Sequence, residues 1–391
     1  MSEMIQQMPQ QLSRWQRPLF IVGAVFLALS AVGWLISPDQ FFRSYLLAYI
    51  FWAGLALGCL AILMMQYVTG GAWGIILRRA LESSTRTLPL LVLLFVPLLF
   101  GLHRLYIWTN QQAVASDPLL IHKRAFLNIP FFLIRAAIYF LFWVGLSFLL
   151  NRWSREQDRT AEAKFAWRLE HLSAPGLFFL AVTLTLALID WIMSLEPRWY
   201  STIYAVGFMA GEMLAAFAFA IAVVILLSAT KPLADVIRRE HFRDLGNLLL
   251  TFVMLWAYCA FSQYLLIWSG NLREEIPWYL RRTVGGWGWV AIALILFHFF
   301  LPFFLLLFRE IKDHKRMLIW VAGIVILLRF VDLFWLVEPA FYPERFSLHW
   351  LDFVATIGLG GIWLAVFIWQ LRTRPLLPLN DPYASEAFGD E

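Results

Sequence analysis

Ten hydrophobic runs separated by short polar segments organise this chain, at about 18 to 36, 44 to 68, 88 to 107, 129 to 150, 175 to 193, 203 to 228, 245 to 268, 287 to 308, 317 to 337 and 351 to 371. A helix needs roughly 20 apolar residues to cross the hydrocarbon core of a bilayer, and these runs are of that order. None shows the ten-residue alternation of a barrel strand, and lipid leaves no backbone polar group a partner outside its own segment. The pattern therefore predicts an all-α, polytopic membrane protein with ten transmembrane helices.

The runs fall into two copies. Asp190, Glu196, Pro197 and Tyr200 in DWIMSLEPRWY recur 142 residues later as Asp332, Glu338, Pro339 and Tyr342 in DLFWLVEPAFY. Phe51, Ala53 and Gly54 in FWAG correspond to Phe208, Ala210 and Gly211 in FMAG, 157 residues on, and Ile107 and Trp108 correspond to Ile267 and Trp268, 160 on. The three pairs keep one order. Spans two to five and six to nine then form two parallel four-helix bundles, because an even number of spans returns each copy to the same orientation. The expected boundaries are an N-terminal segment 1–17 and a single membrane domain 18–371. Within that domain lie a first helix over 18–43, one repeat over 44–200, a second over 201–345 and a last helix over 346–371. A tail, 372–391, reads as a flexible or docking strap. The first span follows 17 mostly polar residues and is too long for a signal-peptide core, so it reads as an uncleaved anchor.

Composition agrees, with 61% hydrophobic and 15% charged residues. Twenty Lys and Arg fall in the segments on the N-terminal side of the spans and nine in the opposite loops; Arg135 and Arg329, inside spans, complete the 31. The positive-inside rule then places both termini in the cytoplasm, and the net charge of +5 needs no nucleic-acid partner. The two cysteines, Cys59 and Cys259, lie inside spans; they are too few for a thiolate-bound cluster and read as packing residues. The longest loops are too short for a soluble redox domain, so any such centre belongs on another chain.

Charge inside a span is costly and marks candidate function. Arg329 and Asp332 are three residues apart on one helix and should pair, while Arg135 sits at a depth that permits an equivalent pair with Asp190. Glu212 and His298 lie near mid-membrane in the second bundle with no charged neighbour on their own helices. They are the expected mid-membrane proton carriers, on a path separate from the rim sites at Asp190 and Asp332, which are themselves expected proton-pathway residues. Glu196, Tyr200, Glu338 and Tyr342 form the rim of each copy. Only His298 is central enough for a haem ligand, so a bis-histidine haem is not expected, and the sequence carries no phosphate loop, zinc motif or nucleophile elbow.

The ten spans, the duplicated bundle and the phrase IDWIMSLEPRWYSTIY around Asp190 resemble the quinone-interacting membrane anchors of the polysulfide-reductase (NrfD-like) type. More narrowly, they resemble the ActF-type membrane subunits of bacterial alternative complex III, a quinol oxidase that passes electrons to cytochrome c or a terminal oxidase. The resemblance covers essentially the whole chain. It implies a multi-pass subunit of the bacterial inner membrane with no metal centre and no covalently bound cofactor. Its neighbours would be a sister quinone-binding anchor, a periplasmic iron-sulfur subunit, haem c subunits and lipid, with a terminal oxidase as a further partner. It also implies a role in proton conduction and contact with menaquinone or another quinone. The residues alone leave two other readings open: a secondary transporter using the buried Asp, Glu, His and Arg, and a scaffold whose charges only pin helices together.

Overall fold

The computed structural model describes residues 10–378 and 380–384. Residues 1–9 of the expected N-terminal segment, and residue 379 and residues 385–391 of the expected tail, lie outside the described residues. The described chain contains no strand and ten helices long and apolar enough to span a bilayer. They are α1 (Ser13–Ile36), α2 (Pro38–Thr69), α3 (Arg78–Phe100), α4 (Ile129–Thr160), α5 (Ala163–Leu195), α6 (Tyr204–Leu227), α7 (Arg239–Gly270), α8 (Trp287–Leu307), α9 (Lys315–Ala340) and α10 (Trp350–Leu371). This is an all-α polytopic membrane protein.

Local chemistry sets the helix ends, several of which run beyond the hydrophobic runs. Pro38 stands in the first turn of α2, where a missing N–H costs nothing, so only Ser37 separates α1 from α2, which starts at 38 rather than at 44. The Asn128 side chain accepts from Phe131 N and caps α4, which continues through polar residues to Thr160, past the apolar limit near 150. Helix α3 begins ten residues before the expected 88. It breaks between Thr85 and Leu88, where Pro89 cannot continue the hydrogen-bond ladder of the preceding turn. In α8, Leu294–Phe300 adopts a π-helical turn, a departure associated with functional sites.

Helices α2 to α5 close a ring, with α2 against α3 and α5, and α4 against α3 and α5. Helices α6 to α9 repeat that order: α6 meets α7 and α9, and α8 lies between α7 and α9. The bundles join along α2 and α6, which are 89% and 72% buried over their apolar windows and so lie innermost. Helices α1 and α10 run beside each other and flank α2. Their backbones touch at Gly23 and Gly361, where an added Cβ would lie 2.6 Å from the Gly23 backbone, the close approach that small residues permit between membrane helices. Arg372 Nη1 donates to Gln16 Oε1 at 2.9 Å, so both described ends share one face, here the terminal face. Asp39 and Arg104 meet at the opposite, far face, joining the start of α2 to the segment that follows α3. Helices α2 and α6 both start at the far face, so the two bundles are parallel copies. Large apolar side chains on the periphery, such as Leu141, Phe148 and Phe178, are exposed as lipid-facing residues must be.

Candidate functional site

The centre of the second bundle holds a buried charge cluster built from three helices. Arg329 on α9 donates through Nη2 to Glu212 Oε1 on α6 at 3.0 Å and to the Phe208 carbonyl at 3.1 Å, and through Nη1 to Asp332 Oδ2. Trp256 on α7 donates Nε1 to the same Asp332 oxygen at 3.2 Å. Glu212, Arg329 and Asp332 are 2%, 0% and 4% exposed, so one guanidinium bridges two acids with almost no water access. A planar fork of five N–H donors suits this geometry in a way that a lysine ammonium does not. Its plane also lies over the Phe208 ring, 4.7 Å from the centroid.

Two glycines of the repeated motif make the room. A Cβ on Gly54 would lie 2.0 Å from Glu212 Oε2, and one on Gly211 would lie 2.3 Å from Arg329 Nη1. The small residues at corresponding places in the two copies therefore admit an acid at one and a cation at the other, where α2, α6 and α9 converge.

His298 is fully buried on the π-helical turn of α8, edge-on to Trp256 with ring centroids 4.4 Å apart. Neither ring nitrogen has a hydrogen-bond partner among the described residues. A buried imidazole needs one donor and one acceptor contact, and an internal water is the ordinary way to supply them. Contacts run from Glu212 through Arg329, Asp332 and Trp256 to His298. The expectation that Glu212 and His298 stand apart from Asp332 is corrected here. Arg329 ties Glu212 to Asp332 because α6 and α9 meet at that depth, and Trp256 stands between Asp332 and His298.

In the first bundle Arg135 on α4 grips Asp190 on α5 with two bonds, Nε to Oδ2 at 2.9 Å and Nη2 to Oδ1 at 2.6 Å, and Tyr139 adds a third at 2.9 Å. The guanidinium is held between Phe126 and Phe131. Asp190 and Asp332 are counterparts, but their cations are not. Arg135 comes from the neighbouring helix and Arg329 from the same helix as its acid. The Asp190 pair is also saturated, whereas the second cluster carries an extra acid.

The rim motifs have diverged further. Glu196 receives Arg281 Nη1 at 2.5 Å and Arg282 Nη2 at 2.9 Å, both from the segment between α7 and α8. Trp199 stacks on Trp278 at 4.6 Å, and Arg282 lies over the Trp278 ring. The first copy's rim thus latches the second bundle. The crevice between them, lined by Met193, Trp199, Tyr204 and Arg282 among others, has no room for a water molecule. Tyr200 is 55% exposed, with Lys123 near its ring and bonded to the Pro197 carbonyl at 2.6 Å. Nearby, a hydrogen bond from Arg198 holds the Asp117 carboxyl below the usual carboxylate range. Glu338 and Tyr342 sit instead against α2 and α10, where Tyr342 Oη donates to Gln40 Oε1 at 2.8 Å.

A cluster on the terminal face lies where the hydrophobicity pattern suggested a loop. Glu82 accepts from Arg78 (3.1 Å), Arg79 (2.7 Å), Arg374 (2.9 Å), Tyr67 (3.1 Å) and Ser154 (2.5 Å). Arg79 also pairs with Asp158, and Arg78 with Asp381. All eight residues of Arg78–Thr85 are buried. The described part of the tail is therefore a strap across α2, α3 and α4, with Tyr383 against Gly70. The RRALESSTR phrase, with acid and bases at helical spacing beside Ser and Thr, was the available signal. Comparison with known proteins gives no match, either to a protein-family model or to a curated protein.

Proposed function

We propose that this chain is the proton-conducting membrane subunit of a quinol-oxidising respiratory complex. The observation that carries the reading is the Glu212, Arg329 and Asp332 cluster beside an unpartnered His298. Isolated charge at this depth is expensive, and a purely structural pair needs one acid for one base. Here a second acid and an imidazole with no hydrogen-bond partner among the described residues are added, all in one bundle and all capable of holding or passing a proton. The repeated rim motif and the segment around Asp190 support the resemblance to alternative complex III anchors.

Neither the buried cluster nor the rim crevice fits a quinone headgroup. Gly54 and Gly211 leave no space for even a methyl group beside the cluster, and the rim crevice admits no water. On this reading quinol chemistry, iron-sulfur clusters and haem c belong to partner subunits. Within this chain Arg329 would keep two acids oriented while sharing its charge between them. A proton arriving at Glu212 would loosen its bond to Arg329 and leave the guanidinium to Asp332. Water at His298 would carry protons onward.

The terminal face, richer in Lys and Arg, would be cytoplasmic in a bacterial inner membrane. The test is to purify the tagged chain in mild detergent and record the quinol-reduced optical spectrum and metal content of what accompanies it. A stoichiometric, quinol-reducible haem c with associated iron supports the reading. A chain that purifies free of redox centres while membrane quinol oxidation is unchanged in its deletion strain contradicts it.

A further inference from the structure

We propose that Glu338 holds an exchangeable proton at the far face. This rests on the proton-path reading above and adds its far-face terminus. Glu338 lies six residues beyond Asp332 on the same stretch of chain, about 9 Å along a helical axis. It is 1% exposed, and among the described residues its Oε1 is buried without a hydrogen-bond partner and it takes part in no ion pair. Its counterpart Glu196 shows what the same motif position looks like when used as a latch, gripped by two arginines. The second copy has kept the acid and lost the grip.

Every element around Glu338 leaves it in that condition. From α2, Arg43 lies over the Phe341 and Tyr342 rings at 4.8 and 5.1 Å, with its buried Nε unpaired. From α10, Asp352 is 1% exposed, and its oxygens accept from Ser44 Oγ, Gln40 Nε2 at 3.3 Å and the His349 backbone N at 2.8 Å. The imidazole of His349 is committed to the Leu351 N–H. From α8, the indole of Trp287 donates to the Tyr342 carbonyl. Among the described residues the donors converge on Asp352 and none reaches Glu338. A carboxylate buried here without a hydrogen-bond donor, with the Arg43 guanidinium turned toward aromatic faces, is costly. A proton on Glu338 removes one charge and supplies the missing donor. The chain Gln40, Tyr342 and Asp352 fixes the positions of the acceptors around it.

The site is tested by infrared spectroscopy of the intact complex in H2O and D2O. The native protein should show a protonated-carboxyl C=O band that shifts in D2O. Glu338→Gln should remove it and Asp352→Asn should displace it, whereas Glu196→Gln should leave it unchanged. On the native protein, where folding of a variant is not in question, a hydrophobic carbodiimide that adds only to protonated carboxyls should modify Glu338 and not Glu196 by mass spectrometry. A Glu338→Gln spectrum superimposable on the native one, or equal labelling of Glu196 and Glu338, overturns the proposal. If Glu212→Gln leaves proton transfer intact while the Glu338 band is present, the path reading fails and this site stands; the converse removes only the site.

Discussion

Replacing Arg329 by Met should destabilise the protein more than removal of either acid it bridges. Met fills similar volume but leaves Glu212 and Asp332 buried together with no cation, and breaking a buried pair costs about 3–5 kcal/mol. With an unfolding entropy of about 2.1 cal/mol/K per residue, 391 residues give roughly 0.8 kcal/mol/K, so the expected fall in Tm is about 4–6 °C. The 20 tryptophans make intrinsic-fluorescence melting in detergent a direct assay. Because the cost comes from two stranded acids, adding Glu212→Gln and Asp332→Asn to Arg329→Met should recover most of the loss. A single variant melting within about 1 °C of native, or a triple variant no more stable than the single, refutes the argument that the guanidinium is what makes two acids tolerable here.

Other expectations follow from the same geometry. Gly54→Ala forces a methyl into the Glu212 carboxyl and should cost about 1–3 kcal/mol by melting, whereas Gly145→Ala, with nothing within 4 Å of its Cβ, should leave Tm unchanged. Arg374→Ala removes one of three bases on Glu82 and frees the strap, with an expected loss of about 1–3 kcal/mol and faster tryptic cleavage near residue 372. The Arg243 hydrogen bond holds the Asp313 carboxyl below its ordinary 3.8, so its contribution is present above that value and lost as pH falls through the lower folded-state pKa. Asp313→Asn should therefore lower Tm at pH 7 and approach native behaviour under strong acid.

The architecture was legible because lipid imposes one rule on every segment: backbone groups must pair within a helix, so length and apolarity suffice to find spans. The duplication was legible because three motif pairs kept their order. Arg329 and Asp332 were readable as a pair because i,i+3 spacing is local. The bond from Arg329 to Glu212 was not, since it depends on where α6 crosses α9, 117 residues apart in sequence. FWAG and FMAG were visible as repeats, but their role in seating the acid and the guanidinium appears only when α2 and α9 are placed against α6. Arg78, Arg79 and Glu82 read as loop in the sequence because charge lowers hydropathy. Their burial depends on residues such as Arg374 and Asp381, some 300 positions later. The motif's two glutamates looked equivalent, and only the placement of Arg281 and Arg282 separates them.

The most direct test is proton transfer by the intact complex in proteoliposomes, native against Glu212→Gln, with quinol as donor and haem c content measured on the same samples. Loss of a positioned proton carrier predicts a fall of at least about tenfold in quinol-driven proton movement, at unchanged haem content and a smaller change in electron flow to an artificial acceptor. Native proton stoichiometry and native turnover in Glu212→Gln would contradict the account and leave the buried cluster as a helix-pinning device.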